Sequence, residues 1–253
     1  GGNNDEPGNH NDLGHFIVNV NGETLLVDFG AGRRNKRYLG EKRYNSPFCS
    51  SAGHSVPVVN GFEQKAGFEH SAAVIDAGTL EGEAYFELDI GKAYPDAAKI
   101  NVLRRRFERR YENGEPVLYV IDRVESAEPR LDFTESFVTL AEPELLKQGI
   151  VMIQGKKAGL AIEYDPLKMR AGIDKYRRLF PRRRGKPAKG CRVVLAAINP
   201  SNRETYIVKI KPFQVAKPAK VIQKVKERMW RSEDHAGTDR TRGKSRKTEP
   251  VGR

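Results

Sequence analysis

The chain of 253 residues is poor in the residue types that announce a function: it has two cysteines, three methionines, one tryptophan and five histidines. Cys49 and Cys191 allow at most one bridge, which excludes a cysteine-ligated zinc site and a disulfide framework. No apolar run approaches the ~20 residues that cross a bilayer as a helix, so no membrane partner is expected. Helical patterning is scarce too. Only 166–180 and 219–230 have passable helical spacing, and Gly172 weakens the first. The sequence opens Gly1-Gly2-Asn3-Asn4, with no basic stretch and apolar h-region ahead of the first structured run. It reads as a fragment of a longer protein whose compartment is not legible. What is present, 38% hydrophobic and 31% charged residues, suffices for one large sandwich or barrel, or for two small domains.

The formal charge of +12 is uneven. Residues 215–253 hold 12 Lys and Arg against 5 Asp and Glu, whereas residues 1–214 hold 33 against 28. The stretch 215–253 combines Pro218, the lone Trp230 and a polar run from Ser232, too little apolar surface to offset its ordering entropy. It is expected to be a basic tail, partly helical and then disordered after about residue 231, serving either as a solvated terminus or as an arm for a polyanion. Basic clusters at 33–43, 104–110 and 175–189 suit an anionic ligand or, equally, a solvated face. No nucleic-acid motif or aromatic–basic platform accompanies them, so nucleic acid ranks last among the partners.

The strongest local pattern is extended. FIVNV (16–20) and ETLLV (23–27) flank Asn21-Gly22, the dipeptide that best fits a type I′ hairpin turn. Runs at 83–90 and 100–112, then Asn113-Gly114, then runs at 116–125, 131–140 and four more toward residue 213 repeat the theme, several with period-two alternation. Many short strands without intervening helices predict an all-β, antiparallel sandwich over residues 1–214, with a short helix or two.

Three of the five histidines gather near the first hairpin: His10 and His15 in NHNDLGHF, and His54 in SAGHSVPVVNG. His10 precedes the first strand of the hairpin and Asp28 ends the second, so antiparallel pairing brings them to one end. If His54 opens the next strand, two imidazoles and a carboxylate converge. With water or a fourth ligand, that set suits zinc at roughly 2.0–2.2 Å. Plainer roles are open to each: Asp28 before Phe29-Gly30 can bond a turn, and His54 can be a satisfied loop histidine. Asp12 and His15 are expected behind the ligands or in structural roles.

The runs GGNNDEPGNHNDLGHFIV, GETLLVDFGAG, KRY and SAGHSVPVVNGFEQ resemble the carboxy-terminal β-sandwich domain of heparinase II/III-like polysaccharide lyases, the alginate and heparin lyase type. YFELDIGKAYPDAAKINVLRRRF and the strand from Tyr119 to Val124 continue the resemblance, which covers about residues 1–214. It implies one mainly structural zinc held by His10, Asp28 and His54, and an anionic polysaccharide as partner. It also implies a cleft tyrosine, for which Tyr38 ranks ahead of Tyr44; Arg33 and Arg34 stand where the family pattern has an aromatic, and with Arg37 they are candidates for binding substrate or, equally, for keeping the surface soluble. The family commonly has a further, substrate-facing histidine two residues before the metal-binding one; here that position is Gly8.

The resembling enzymes carry an amino-terminal helical toroid that supplies most of the cleft, and this domain is expected in the full-length protein. Their reaction is β-elimination. The C5 proton beside a uronate carboxylate is removed, the enolate-like charge is neutralised, and the 4-linked oxygen leaves with a proton. A tyrosine, with a pKa of about 10, takes that proton only where cations favour its phenolate, which is one use for Arg33, Arg34 and Arg37. The leading expectation is therefore a metal-binding sandwich forming one wall of a lyase site and probing as inactive alone. The alternative, supported by Gly8, is a noncatalytic carbohydrate-binding or structural module.

Overall fold

Asn-Gly pairs turn the chain where the sequence places them. In a computed structural model that describes residues 2–5, 8–32, 35–179 and 188–215, Asn21-Gly22 has φ of 52° and 77°, and Asn113-Gly114 has 53° and 82°. Two consecutive left-handed residues are the requirement of a type I′ turn. Glu81-Gly82 adopts the same geometry, at 51° and 84°, with a residue the turn does not favour at its first position.

These turns join a series of antiparallel strands. They are β1 (Asn3–Asn4), β2 (Val18–Val20), β3 (Glu23–Leu26), β4 (Val58–Val59), β5 (Gly67–Ser71), β6 (Ala73–Leu80), β7 (Glu83–Asp89) and β8 (Ile100–Glu112). The series continues with β9 (Glu115–Ser126), β10 (Phe133–Thr139), β11 (Pro143–Lys147), β12 (Ile150–Gln154), β13 (Ala158–Tyr164), β14 (Met169–Leu179), β15 (Ala188–Ala197) and β16 (Arg203–Gln214). The one α-helix among the described residues is a single turn, α1 (Lys36–Leu39), with 3-10 turns at Glu41–Asn45, Ser51–Gly53, Gly91–Ala93 and Asp96–Ala98.

The largest sheet has eight strands in the order β11-β12-β13-β16-β9-β8-β7-β6, a second has four in the order β14-β15-β10-β4, and β1-β5 and β2-β3 form two-stranded sheets. The first two share one core, with Leu103, Val120, Val124, Leu160, Ile162 and Ile210 from the larger sheet and Phe133, Phe137, Val193 and Leu195 from the smaller. Phe133 stacks on Tyr206 across the layers, ring centroids 4.6 Å apart. Phe16, just ahead of β2, packs on Phe107 of β8 and Phe137 of β10 and so seats the N-terminal hairpin on both sheets. The expected all-β sandwich is borne out.

The helical spacing at 166–180 is a misreading, because the chain there forms β14. Met169, Ala171 and Ile173 alternate toward the core, and Ile173 and Asp174 pair in register with Val193 and Arg192 of β15. A cross-strand ion pair, Arg192 Nη2 to Asp174 Oδ2 at 2.7 Å, joins the exposed faces. Gly172, costly in a helix, is held here inside β14 by its pairing with Val194 of β15. The chain divides into two units after Val215. The expected helix at 219–230 and the basic tail lie outside the described residues.

Hairpin β2–β3 is tied down at its tip. The Glu23 carboxylate accepts the backbone N–H groups of Lys156 and Lys157 at 2.8 Å each, and these bonds hold its pKa below the ordinary range. We expect Glu23→Ala to speed amide hydrogen exchange at Lys156 and Lys157 by about tenfold, the worth of a lost hydrogen bond. Exchange in β8 should stay unchanged; uniform acceleration throughout the sandwich would mean that Glu23 supports the whole fold.

Candidate metal centre

The segment between β1 and β2 carries His10 and Asp12, the chain just past β3 carries Asp28, and His54 caps the Ser51–Gly53 turn. Backbone bonds fix all three pieces. The Asn11 N–H reaches Cys49 O at 2.8 Å, the Val27 N–H reaches Val138 O of β10 at 3.0 Å, and the Ser51 hydroxyl donates to Asn11 O at 2.8 Å. Gln64 grips the first segment like a strand partner: its Oε1 accepts the Leu13 N–H at 2.8 Å and its Nε2 donates to Leu13 O at 2.7 Å.

The result is a cluster of four potential donors, one atom each from His10, Asp12, Asp28 and His54, all within 4.8 Å of one another. His10 Nδ1 lies 3.2 Å from His54 Nε2, close to the ~3.3 Å edge of a tetrahedron with ligands at zinc distances. Asp12 Oδ2 and Asp28 Oδ1 each lie 3.8 Å from His54 Nε2. His54 is wholly buried, and its Nδ1–H donates to Ser50 O at 2.9 Å. That bond fixes the tautomer and leaves Nε2 with a lone pair facing the other three donors, the hydrogen bond that usually orients a ligating histidine.

Burial, then the neighbouring His54, lowers the pKa of His10 from its ordinary 6.5, so its imidazole stays neutral to lower pH. Burial raises the pKa of Asp12, an ionised carboxylate lacking solvent there. Two carboxylates and two imidazole nitrogens converging in a half-buried place fit a divalent cation, which cancels the carboxylates' charge.

His10, Asp28 and His54 come together as the sequence suggests, and Asp28 serves the plainer role as well, its Oδ1 accepting the Gly30 N–H at 2.6 Å. Asp12, expected behind the ligands, lies with them in the group of four potential donors. His15 remains behind. Its Nδ1 accepts the Ser55 N–H at 2.9 Å, its ring meets His54 edge-on at 5.2 Å, and its pKa falls to about 4, chiefly by burial.

Tyr38 in α1 packs with Val27, Phe29, Phe48 and Cys49, and Tyr44 donates its hydroxyl to Asn9 Oδ1 at 2.9 Å. Burial raises both phenol pKa values despite Arg43, whose guanidinium lies 5.9 Å from the Tyr38 ring centre and 5.1 Å from that of Tyr44. Arg33 and Arg34 lie outside the described residues, and Arg37 stands in α1.

Arg105 escaped the sequence reading, which grouped it with a surface cluster at 104–110. It is fully buried, with Nε and Nη2 on the two oxygens of Asp122 at 2.8 and 2.9 Å and Nη2 also on Glu135. Its neighbours on the outer face are paired instead: Arg106 bonds Glu87 at 3.1 Å, and Arg110 bonds Glu108. A groove of about 1020 Å³ lined by Lys65, His70, Lys92 and Tyr94 lies apart from the four donors, none of which lines it.

The fold and this cluster describe a two-layer β-sandwich with a candidate metal centre beside its N-terminal hairpin. No family model and no curated protein matches the chain by sequence. Solved structures share the fold. A heparan sulfate lyase from Pedobacter heparinus matches with a TM-score of 0.62 at 15% identity, over 83% of this chain and 32% of its own. Two structures of heparinase III give 0.63 and 0.60 at 12% and 13% identity, over 82% and 83% of this chain and 30% of theirs. The chain thus spans less than a third of these structures, and at such identities the likeness is one of fold. At that level it bears out the resemblance read from the sequence.

Proposed function

We propose that the sandwich binds one zinc ion through His10, Asp12, Asp28 and His54, and forms one wall of a polysaccharide lyase site for uronate-containing glycans. The observation that carries this reading is the convergence of four donors around a histidine whose lone pair is already aimed at them. The fold shared with heparan sulfate and heparinase III lyases supports the lyase assignment, and an acidic glycosaminoglycan is the substrate class. The ion supplies charge neutralisation and a cross-link between loops. The chain's own part in catalysis is to hold Tyr38 and Tyr44 beside that centre, while a helical domain of the full-length protein supplies the remaining proton-transfer and carboxylate-neutralising groups.

A second reading has a specific observation in its favour. Catalytic zinc sites keep an open position, whereas structural sites are closed by four protein ligands. Asp12 fills the fourth place, and Gly8 stands where the family has a substrate-facing histidine. Both features favour a noncatalytic carbohydrate-binding or structural module with a structural metal.

Elemental analysis tests the common element of the two readings. It should find about one zinc per chain, and joint substitution of His10, Asp28 and His54 by Ala should abolish it. Zinc that survives the triple substitution would refute the assignment. Because only neutral imidazole ligates, affinity should fall as pH drops through the histidine range; the lowered pKa of His10 places the onset below 6.5. Affinity independent of pH between about 7 and 4 would count against histidine ligands.

A further inference from the structure

We propose that Arg105 is a positioning residue for the metal centre, one that sets the spacing of the loops carrying Asp12 and His54. The proposal rests on the metal-site reading above and adds the part of the molecule that holds the ligands apart at the right distance.

The guanidinium has five N–H donors, and all five are used. Nε and Nη2 face the core and engage Asp122 and Glu135. Asp122 lies directly opposite Arg105 in the β8–β9 pairing, and Glu135 comes from β10 of the other sheet. The arginine is therefore anchored to both layers. Its remaining group, Nη1, points the other way and bridges two carbonyls, Gly14 O at 3.2 Å and Ser55 O at 2.9 Å. Gly14 lies in the turn closed by the His15 N–H on Asp12 O, and Ser55 follows His54 directly. One nitrogen thus ties the two ligand-bearing loops to each other and to the sandwich.

Packing alone gives no reason for such a group. A buried ion pair contributes little net stability over apolar side chains of similar size, since desolvation offsets the attraction. Burial, reinforced by Asp122 against the pull of Arg105, holds the Glu135 carboxyl well above the ordinary range. Ser55 is held on its other sides too, by its N–H on His15 Nδ1 and by the Val138 N–H on its hydroxyl. The Asp12 turn and the His54 loop are already joined by Asn11 to Cys49, Ser51 to Asn11 and Ser55 to His15, and Nη1 adds the tie that fixes this pair of loops to the two sheets.

Arg105→Lys isolates this role. Lysine keeps the positive charge beside Asp122 and Glu135, but a single ammonium on a flexible stem cannot serve two carboxylates and two carbonyls together. Zinc affinity, measured by competition with a chromophoric chelator, should fall about tenfold or more while the variant still melts cooperatively, as for other outer-shell partners of metal ligands. Zinc affinity equal to wild type overturns the proposal. Failure of the wild type to bind zinc would overturn the metal-site reading and this proposal with it, so the two failures are distinguishable. A measurement independent of the variant's folding uses the intact protein. The Arg105 Nε–H resonance should shift on zinc saturation, and a resonance that stays in place overturns the coupling.

Discussion

Removing the metal is expected to cost about 4 kcal/mol of stability when zinc is present at ~1,000 times its dissociation constant, by mass action alone. The physical cause lies in the donor set. Without a cation, Asp12 and Asp28 face each other and two imidazole nitrogens in a half-buried place, and burial already disfavours the charged form of Asp12. Thermal melting with and without a chelator should show a large drop in the midpoint, restored by added zinc. His54→Ala should lose more. It removes a wholly buried side chain, leaves Ser50 O with only the Gly53 N–H at 3.2 Å, and abolishes the zinc-dependent increment in melting temperature. A variant that still gains stability from zinc would show that His54 is not a ligand.

The second large effect is on catalysis: this chain alone is expected to give no detectable lyase turnover. β-Elimination needs a base at C5, neutralisation of the uronate carboxylate and an acid at the leaving oxygen, each separately placed. Near the candidate metal centre the chain offers Tyr38 and Tyr44, and burial raises both phenol pKa values, which opposes the phenolate a base requires. Loss of one preorganised donor costs about 100- to 1000-fold, so loss of a whole wall should put the rate below detection. Ultraviolet absorbance of the unsaturated product reports the reaction, with heparin, heparan sulfate and alginate supplied in turn. Activity that appears only when a helical domain is added supports the lyase reading. Robust turnover by the chain alone would overturn the split site, and silence even with that domain would favour the noncatalytic module.

Much of this architecture was legible because short-range chemistry determined it. Asn21-Gly22 and Asn113-Gly114 fix their turns through φ alone, and alternation in INVLRRRFERRYE marks β8 from end to end. The same alternation held an unread signal. In β8 Leu103 and Arg105 share a face, so the middle arginine of a basic run points inward, where the buried acids of β9 and β10 await it. Nothing local announces that pairing, because Asp122 and Glu135 are 17 and 30 residues away. The reading of β14 failed for the opposite reason: a period of two and a period near four overlap in a short, charge-rich stretch, and pairing with β15 decides between them. Asp12 was not legible in this way, because Asn11 between it and His10 is a bend outside any strand and two-residue alternation does not apply there.

The ties that hold the candidate centre run in one direction along the chain. Asn11 leans on Cys49 and Gln64, Gly14 and Ser55 on Arg105, and Val27 and Ser55 on Val138. Each tie reaches a partner later in the sequence, some across more than eighty residues. The loops bearing His10, Asp12, Asp28 and His54 therefore cannot settle until β8, β9 and β10 have assembled, since closing such long loops is repaid only once the sheets exist.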